Sequence, residues 1–255
     1  MESRQSKDHE LFNRIAGDYA RKDVVQSTAV VRKHKLIKSV DFLLSEEKGL
    51  GTILDIGCGV GAPSWFLEGH YDTYIGIDCS EKLIEQAELH KKSSSVRFVV
   101  ADLTNMEIDA NADVVLAVGV LHHITELDAV MTSIKNVAKP GAYFVAIEPH
   151  RMNPFVQLLR RIRKRIDSSY SEEQRFFKPS ELVDLLEKNG FEDISYKFHG
   201  FISTPFGEVI LKPQWLFSRI SQAAVFFDSV LDRILPTFLK FMSWNVIIRA
   251  RFPKK

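Results

Sequence analysis

Three aspartates and one glycine-rich turn carry most of the chemistry in this chain. Asp55-Ile56-Gly57-Cys58-Gly59-Val60-Gly61 closes a short apolar run. Glycines at such a place let the backbone turn tightly and come close to a ligand. A helix that follows presents unpaired N–H groups to anything polar. Asp78 ends the next apolar run, and a carboxylate there can accept hydrogen bonds from both hydroxyls of a ribose. Asp102 follows the third run, one place further out, where a carboxylate can receive an adenine amino group. The set suits an adenosine-bearing ligand at the carboxyl edge of an open α/β sheet.

Two ligand classes share this logic. Gly57-x-Gly59-x-x-Ala62 also satisfies the Gly/Ala form of the dinucleotide fingerprint, so an NAD-dependent dehydrogenase is one alternative. Asp55 counts against it, because a diphosphate would repel a carboxylate two residues before the first glycine. A ligand bearing an ammonium group would attract it. No clear second mononucleotide-binding half follows.

For these residues to meet, the apolar runs must lie side by side. They are Thr52–Ile56, Thr73–Asp78, Val96–Ala101, Asp113–Val118 and Ala142–Glu148, each apolar on consecutive positions, as in strands buried on both faces. Amphipathic stretches at Glu81–Lys91 and Asp128–Ala138 separate them, with Ser80 placed to cap the first. Lys139-Pro140-Gly141 has the residues of a type II turn. Alternation of this kind implies right-handed βαβ units and a parallel sheet. Residues 1–50 read as helical, with Phe12, Ile15, Ala16 and Tyr19 at helical spacing. After residue 150 the rhythm changes. Helices are expected at Phe155–Ile166 and at Ser180–Asn189, the latter capped by Ser180 and stopped by Gly190, with a loop at 167–178 between them. Ile194–Phe198 and Asn245–Phe252 read as strands, and Trp215–Met242 as a helix that Pro236 kinks or divides.

Composition limits the classes. Of 255 residues 45% are hydrophobic and 26% charged, with 34 Lys and Arg against 33 Asp and Glu. That is an ordinary globular balance, and any polyanion-binding surface must come from local clustering. Two cysteines, Cys58 and Cys79, fit reduced intracellular thiols. The N-terminus lacks an apolar signal-peptide core, and no apolar run is long enough to span a bilayer. A cytoplasmic protein is expected.

The motifs together resemble those of class I S-adenosylmethionine-dependent methyltransferases, of the ubiquinone/menaquinone-biosynthesis type (the type 11/25 group). ILDIGCGVG (53–61) is similar to the first motif and GIDCSEKLIEQA (76–87) to the second-strand motif. VVADLTNM (99–106), VGVLHHI (118–124) and VAKPGAYFVAIEP (137–149) resemble the adenine-side, fourth-strand and fifth-strand motifs. FNRIAGDYAR (12–21) resembles the opening of the quinone-pathway members. The resemblance implies an α/β, Rossmann-like seven-stranded sheet, mostly parallel with the last strand antiparallel, flanked by helices. An N-terminal helical cover (1–50), a cofactor-binding core (51–150) and a C-terminal completion with a helical insertion (151–255) follow. Phe198 to Asn245 is far longer than the family's hairpin turn.

The resemblance also implies S-adenosylmethionine as cofactor, released as S-adenosylhomocysteine. Gly57, Gly59 and Gly61 would pass close to its methionine part, with Cys58 among them. Asp55 would face its amino group, and Tyr19 would close over its carboxylate. Asp78 would bind the ribose hydroxyls, Cys79 and Leu83 would flank the adenine, and Asp102 and the Leu103 backbone would contact its edge. Val118 would offer its carbonyl nearby.

Methyl transfer is an in-line displacement from a sulfonium, for which alignment and exclusion of water do most of the work. A hydroxyl or acidic-carbon acceptor also needs a base. Candidates are His123, His122, Glu148 and His150; the resemblance favours His123, because the fourth strand's tip faces the transferred methyl. Glu148 fits a loop- or hydroxyl-holding role better than that of base. Glu126 could pair with His122 on a metal, but no third ligand is evident, and no metal is expected.

The acceptor reads as a small molecule. Phe155–Ile166 (FVQLLRRIRKRI) has one apolar face and a crowd of cations, and half of the 18 phenylalanines lie from Phe198 onward. These features suit a lipidic or lipid-linked acceptor, methylated on oxygen or carbon, and a peripheral membrane contact through 155–166 or the C-terminal helices. They also suit a solvated lid helix and a helical subdomain with its own core. The alternatives are a non-catalytic cofactor-binding or partner-subunit protein of this fold and an RNA methyltransferase. The latter is opposed by the absence of an RNA-binding module and of an Asn/Asp-Pro-Pro-Tyr type motif. Oligomeric state is not legible.

Overall fold

The computed structural model describes residues 4–44, 49–154, 157–158 and 176–254. Its centre is a seven-stranded sheet in the order β3-β2-β1-β4-β5-β7-β6. The strands are β1 (Thr52–Ile56), β2 (Thr73–Asp78), β3 (Val96–Val100), β4 (Ala112–Val118), β5 (Ala138–Pro149), β6 (Glu192–His199) and β7 (Asn245–Arg251). β1 to β5 pair in parallel, and β7 runs antiparallel between β5 and β6. The chain order reverses beside β1 and β4, so their carboxyl ends open a crevice where ligands of such sheets bind. The central strands are buried on both faces, with Ile53, Leu54, Ile56, Leu116 and Phe144 fully inside. That is why they read as continuous apolar runs.

Two helices precede the sheet, α1 (Arg4–Val24) and α2 (Gln26–Leu44). α1 lies over the start of α4 (Glu81–Leu89). Asn13 Oδ1 accepts from the Ser80 hydroxyl at 2.6 Å. The same hydroxyl accepts from Leu83 N–H at 3.2 Å, the expected cap of α4. One serine thus starts a helix and fastens the cover above it. α3 (Ala62–Phe66) begins at Gly61, whose φ of 74° is left-handed. A side chain there would also meet the Phe98 ring, with a Cβ 2.4 Å from it, so only glycine fits. α5 (Leu127–Val137) crosses from β4 to β5.

Two local expectations are corrected. Lys139, Pro140 and Gly141 lie inside β5 instead of forming a turn before it. The ladder passes from Ala112 opposite Ala138 to Val114 opposite Tyr143, so the extra residues form an irregularity within the strand. Gly141 supplies its φ of 74°, and Lys139 Nζ ties the place to Asp113 at 2.7 Å. The second correction concerns α6 (Pro179–Lys188), which is capped by Lys178, not Ser180. Pro179 suits the first helical position, where no N–H is needed. Glu181 Oε2 reaches back to accept from Lys178 N–H at 2.7 Å.

The long insertion between β6 and β7 holds α7 (Thr204–Glu208), α8 (Gln214–Ile234) and a 3-10 turn at Thr237–Met242, divided at Pro236 as expected. α7 and α8 rest on α2. The inward residues of α8 are small or polar: Ser218, Ser221, Ala224 and Asp228. Asp228 is fully buried and accepts the N–H groups of Phe201, Ile202 and Ser203 at 3.1, 2.8 and 3.0 Å. Its large residues face outward, with Trp215, Phe226, Phe227 and Ile234 at 67, 64, 54 and 68% exposure. A self-contained helical core is therefore not what the insertion builds. Apart from Gln157 and Leu158, the basic segment 155–166 lies outside the described residues. Among the described residues no helix is long and apolar enough to cross a membrane.

Candidate active site

The carboxyl ends of β1, β2 and β4 open into two adjoining cavities under α1. The larger is about 550 Å3 and the smaller about 280 Å3. Both are lined by Phe12, Tyr19, Gly57, Val118, Gly119 and His123. The cavities therefore adjoin at the glycine turn and the end of β4.

The smaller cavity collects Asp78, Cys79, Leu83, Asp102 and Leu103. Asp78 is 9% exposed. Its Oδ2 accepts from Gly59 N–H and its Oδ1 from Ser80 N–H, each at 2.9 Å. Burial pushes this carboxyl up, and the N–H groups of Ser80 and Gly59 oppose that. The side chain is thus fixed in one rotamer, and each oxygen keeps a lone pair for a hydroxyl donor. Asp102 Oδ1 accepts from the Thr104 N–H and hydroxyl, each at 2.8 Å. That turns its loop along the cavity edge. Burial, with Asp78 adding, pushes the Cys79 thiol up to about 12, so it is no nucleophile.

Asp55 and Cys58 line the larger cavity. Asp55 is 1% exposed. One carboxyl oxygen accepts from the Tyr74 hydroxyl; the other, Oδ1, has no hydrogen-bond partner. Burial pushes this carboxyl up to about 7, with the Tyr74 hydrogen bond opposing. An unpaired buried acceptor is costly, and one at a cavity wall calls for a donor from a ligand. A cationic donor fits best, since it would also hold the proton off the carboxyl. The glycine turn gives close access: Gly57 has a φ of 65°, and a Cβ on it would come 2.2 Å from Val120 Cγ2. Gly61 lines neither cavity. The glycine has a structural reason in its place at the start of α3 against Phe98.

The end of β5 organises the histidines. Glu148 is fully buried and lines neither cavity. Its Oε1 accepts from Val120 and Leu121 N–H at 3.1 and 2.8 Å, and its Oε2 lies 2.7 Å from His122 Nδ1. It shapes the 3-10 turn at Leu121–His123 and holds one imidazole of it, which excludes direct contact with an acceptor. His122 lines the larger cavity, and the His123 ring lies against it, tilted by 40° with centroids 4.1 Å apart. Phe12 of α1 meets His123 edge-on at 5.2 Å. His150 stands apart from the other candidates: it is fully buried, lines neither cavity, and packs on Phe198 of β6 at 4.8 Å.

Charged residues of α1 and α2 close the far side of the larger cavity, among them Lys22, Asp23, Arg32 and Lys35. Arg32 binds Asp23 Oδ1 at 2.7 Å and the Gly207 carbonyl at 3.1 Å. It also lies over the Tyr19 ring, 5.2 Å from its centre. The sequence pattern did not single these residues out. The only local signal is the i,i+3 spacing of Arg32 and Lys35 on one face of α2.

The chain is similar to known proteins in both sequence and fold. Residues 54–146 match the family model described as "Methyltransferase domain". The ubiquinone biosynthesis O-methyltransferase of Pelagibacter ubique is 27% identical over 184 residues, 70% of this chain and 72% of that protein. The protein of the same name from Dinoroseobacter shibae is 30% identical over 179 residues, 67% of this chain and 68% of that protein. Among solved structures, a SAM-dependent methyltransferase of Thermotoga maritima superposes with a TM-score of 0.65 at 20% identity, covering 95% of this chain and 98% of that one.

Proposed function

The chain belongs to the class I S-adenosylmethionine-dependent methyltransferases, and on that premise we propose how its residues hold the cofactor and which acceptor they serve. The smaller cavity takes the adenosine part: Asp78 binds the ribose hydroxyls, Asp102 and the Leu103 backbone meet the adenine edge, and Cys79 and Leu83 flank the ring. The methionine part passes Gly57, Cys58 and Gly59 into the larger cavity, under Tyr19 and beside the Val118 carbonyl. The observation that carries this reading is the unpartnered Oδ1 of Asp55 at the cavity wall. The cofactor's ammonium is the donor it lacks, and a dinucleotide diphosphate would leave it facing an anion. When bound, the cofactor supplies an activated methyl on sulfur.

The protein's own part is alignment and proton removal. α1 covers the junction of the cavities and excludes water. We assign the base to His122 in preference to His123, because Glu148 orients the His122 ring as a carboxylate orients a catalytic imidazole. Proton transfer from an acceptor hydroxyl to His122 fits O-methylation, the reaction named for the Pelagibacter and Dinoroseobacter relatives. His123 and Phe12 serve as packing that aligns the acceptor.

The acceptor is a small molecule of lipidic character. The relatives' association with ubiquinone supports this, and so does the outward face of α8. Between Val209 and Trp244 the cations are Lys212, Arg219, Arg233 and Lys240. Both acids there are engaged, Asp228 by backbone N–H groups and Asp232 with His199 Nδ1 at 3.4 Å. Exposed aromatics set among cations suit the surface of an anionic bilayer. Vesicles of mixed zwitterionic and anionic lipid are expected to bind the protein, and Phe226→Ser with Phe227→Ser to weaken binding by roughly tenfold, about 1.4 kcal/mol. Equal binding by the double variant would remove the membrane from the reading.

Calorimetric titration tests the function itself. S-adenosylhomocysteine is expected to bind and NAD not to. Asp78→Ala is expected to weaken binding by roughly 10- to 100-fold, the equivalent of about 1.5–3 kcal/mol for hydrogen bonds to a charged group. An unchanged affinity would refute the ribose assignment.

A further inference from the structure

Lys35 is the one cation of the larger cavity's wall without a partner among the described residues. Lys22 pairs with Glu208 at 4.0 Å. Arg32 pairs with Asp23 at 2.7 Å and with Glu208 at 3.7 Å. Lys35 lines the same cavity and among the described residues takes part in no hydrogen bond or ion pair. Its charged neighbours at longer range are Glu208, Arg32, Asp23 and Glu148. Burial pushes its ammonium below the ordinary range, the response of a cation removed from water without a counter-ion.

The rest of the wall says what a ligand must look like. The same cavity is also lined by Ile147, Pro149 and Phe176, and by His122. A ligand there needs an apolar body to cover those surfaces and one anionic group to meet Lys35. Glu148, which holds His122, is among the charged groups near enough to act on Lys35. We propose that Lys35 recognises a carboxylate or phosphate on the methyl acceptor, so that the acceptor is an amphipathic anion held by its charged end while its nucleophile faces His122. This rests on the methyltransferase reading of the same site and adds the charge of the acceptor to it.

The test uses the whole protein saturated with S-adenosylhomocysteine. It is titrated with benzoate and with phenyl phosphate, and with benzamide as the uncharged control. At least one anion is expected to bind and benzamide not to compete at the same concentration. Lys35→Met, which keeps the length of the side chain and removes its charge, is expected to weaken the anion by roughly 10- to 100-fold. Its affinity for S-adenosylhomocysteine should stay within about twofold. Lys35→Arg, which keeps the charge, is expected to retain anion binding and guards against a misfolded Met variant.

Three results would overturn the proposal. Neither anion binds the loaded wild type, or both variants bind the anion as the wild type does. Alternatively Lys35→Met loses S-adenosylhomocysteine as strongly as the anion, which would give Lys35 to the cofactor's own carboxylate. Failure of the wild type to bind S-adenosylhomocysteine at all is a separate result: it overturns the cofactor reading, and this proposal with it.

Discussion

Asp55→Asn is expected to make the cofactor-free protein more stable above pH 7 and at the same time a poorer binder of its cofactor. In the unfolded chain this carboxyl titrates near its ordinary value of 3.8, and in the folded protein near 7. The folded state therefore holds the proton more tightly. The stability linked to it is fully present below about pH 4 and is lost as pH rises to about 7. Above pH 7 the wild type carries a buried carboxylate with one unpartnered oxygen. Three pH units correspond to a penalty on the order of 4 kcal/mol. Asparagine has the same shape and no charge. Its carbonyl can still accept from the Tyr74 hydroxyl, and its amide faces the cavity, where water can meet it. Denaturant unfolding at pH 8 should show the variant more stable than wild type by about 2–4 kcal/mol, and at pH 4 the difference should largely vanish. Binding should move the other way. At pH 8 the variant should bind S-adenosylhomocysteine roughly 10- to 100-fold more weakly. Wild-type affinity should fall as pH drops below 7, because the carboxyl must then lose a proton to receive the ammonium, and the variant's should not. A variant less stable than wild type at pH 8, or a wild-type affinity flat from pH 8 to pH 6, would refute the role given to Asp55.

Asp55 was legible in the sequence because it breaks a rule there. A charged residue closes a run that is otherwise buried on both faces, and a ligand is the usual reason for such a break. β1 to β5 were legible for the complementary reason: strands sealed on both faces must be apolar at every position, whatever the rest of the molecule does. The missed features depend on distant partners. Arg32 and Lys35 look like any solvated i,i+3 pair on α2. Only α7, arriving from far along the chain with Gly207 and Glu208, encloses Arg32 and shows it to be engaged and Lys35 not. His150 does lie at a strand tip, but its main-chain N–H bonds the Trp244 carbonyl at 2.8 Å and its buried ring packs on Phe198, contacts with distant segments that the local sequence does not show. The cap of α6 was misread because Ser180 matches the residue preference. Pro179 decides the start instead, through its fixed φ and missing N–H. α8 was the hardest case. Its aromatics at helical spacing suggested a core, and the spacing alone does not say which face is inward. Asp228 decides that, by holding three backbone N–H groups of the 201–203 segment under the helix.

Glu148→Gln separates the two jobs proposed for Glu148. The carboxylate accepts from Val120 and Leu121 N–H through one oxygen and engages His122 Nδ1 through the other. Glutamine keeps an oxygen for the two backbone donors, so the turn at Leu121–His123 should survive. It then presents an NH2 group to His122 Nδ1, which must become an acceptor, and the ring proton moves to Nε2. A base whose accepting nitrogen now carries the proton cannot take one from an acceptor hydroxyl. The loss of kcat for an O-methylated acceptor should be about 10²- to 10⁴-fold, the range for general-base catalysis. KM for the cofactor should be unchanged, because Glu148 lines neither cavity. Nitrogen-15 chemical shifts of the His122 ring read the tautomer directly and need no acceptor; they should invert between wild type and variant. Glu148→Ala should lose the turn as well. Two buried N–H groups are then left without an acceptor, each costing about 1–3 kcal/mol, and denaturant unfolding should show a loss of roughly 3 kcal/mol or more. If Glu148→Gln leaves the His122 shifts as they are, Glu148 serves the turn alone and the choice of base returns to His123. If the shifts invert and kcat holds, the reaction needs no base. Alignment and the sulfonium leaving group would then account for catalysis.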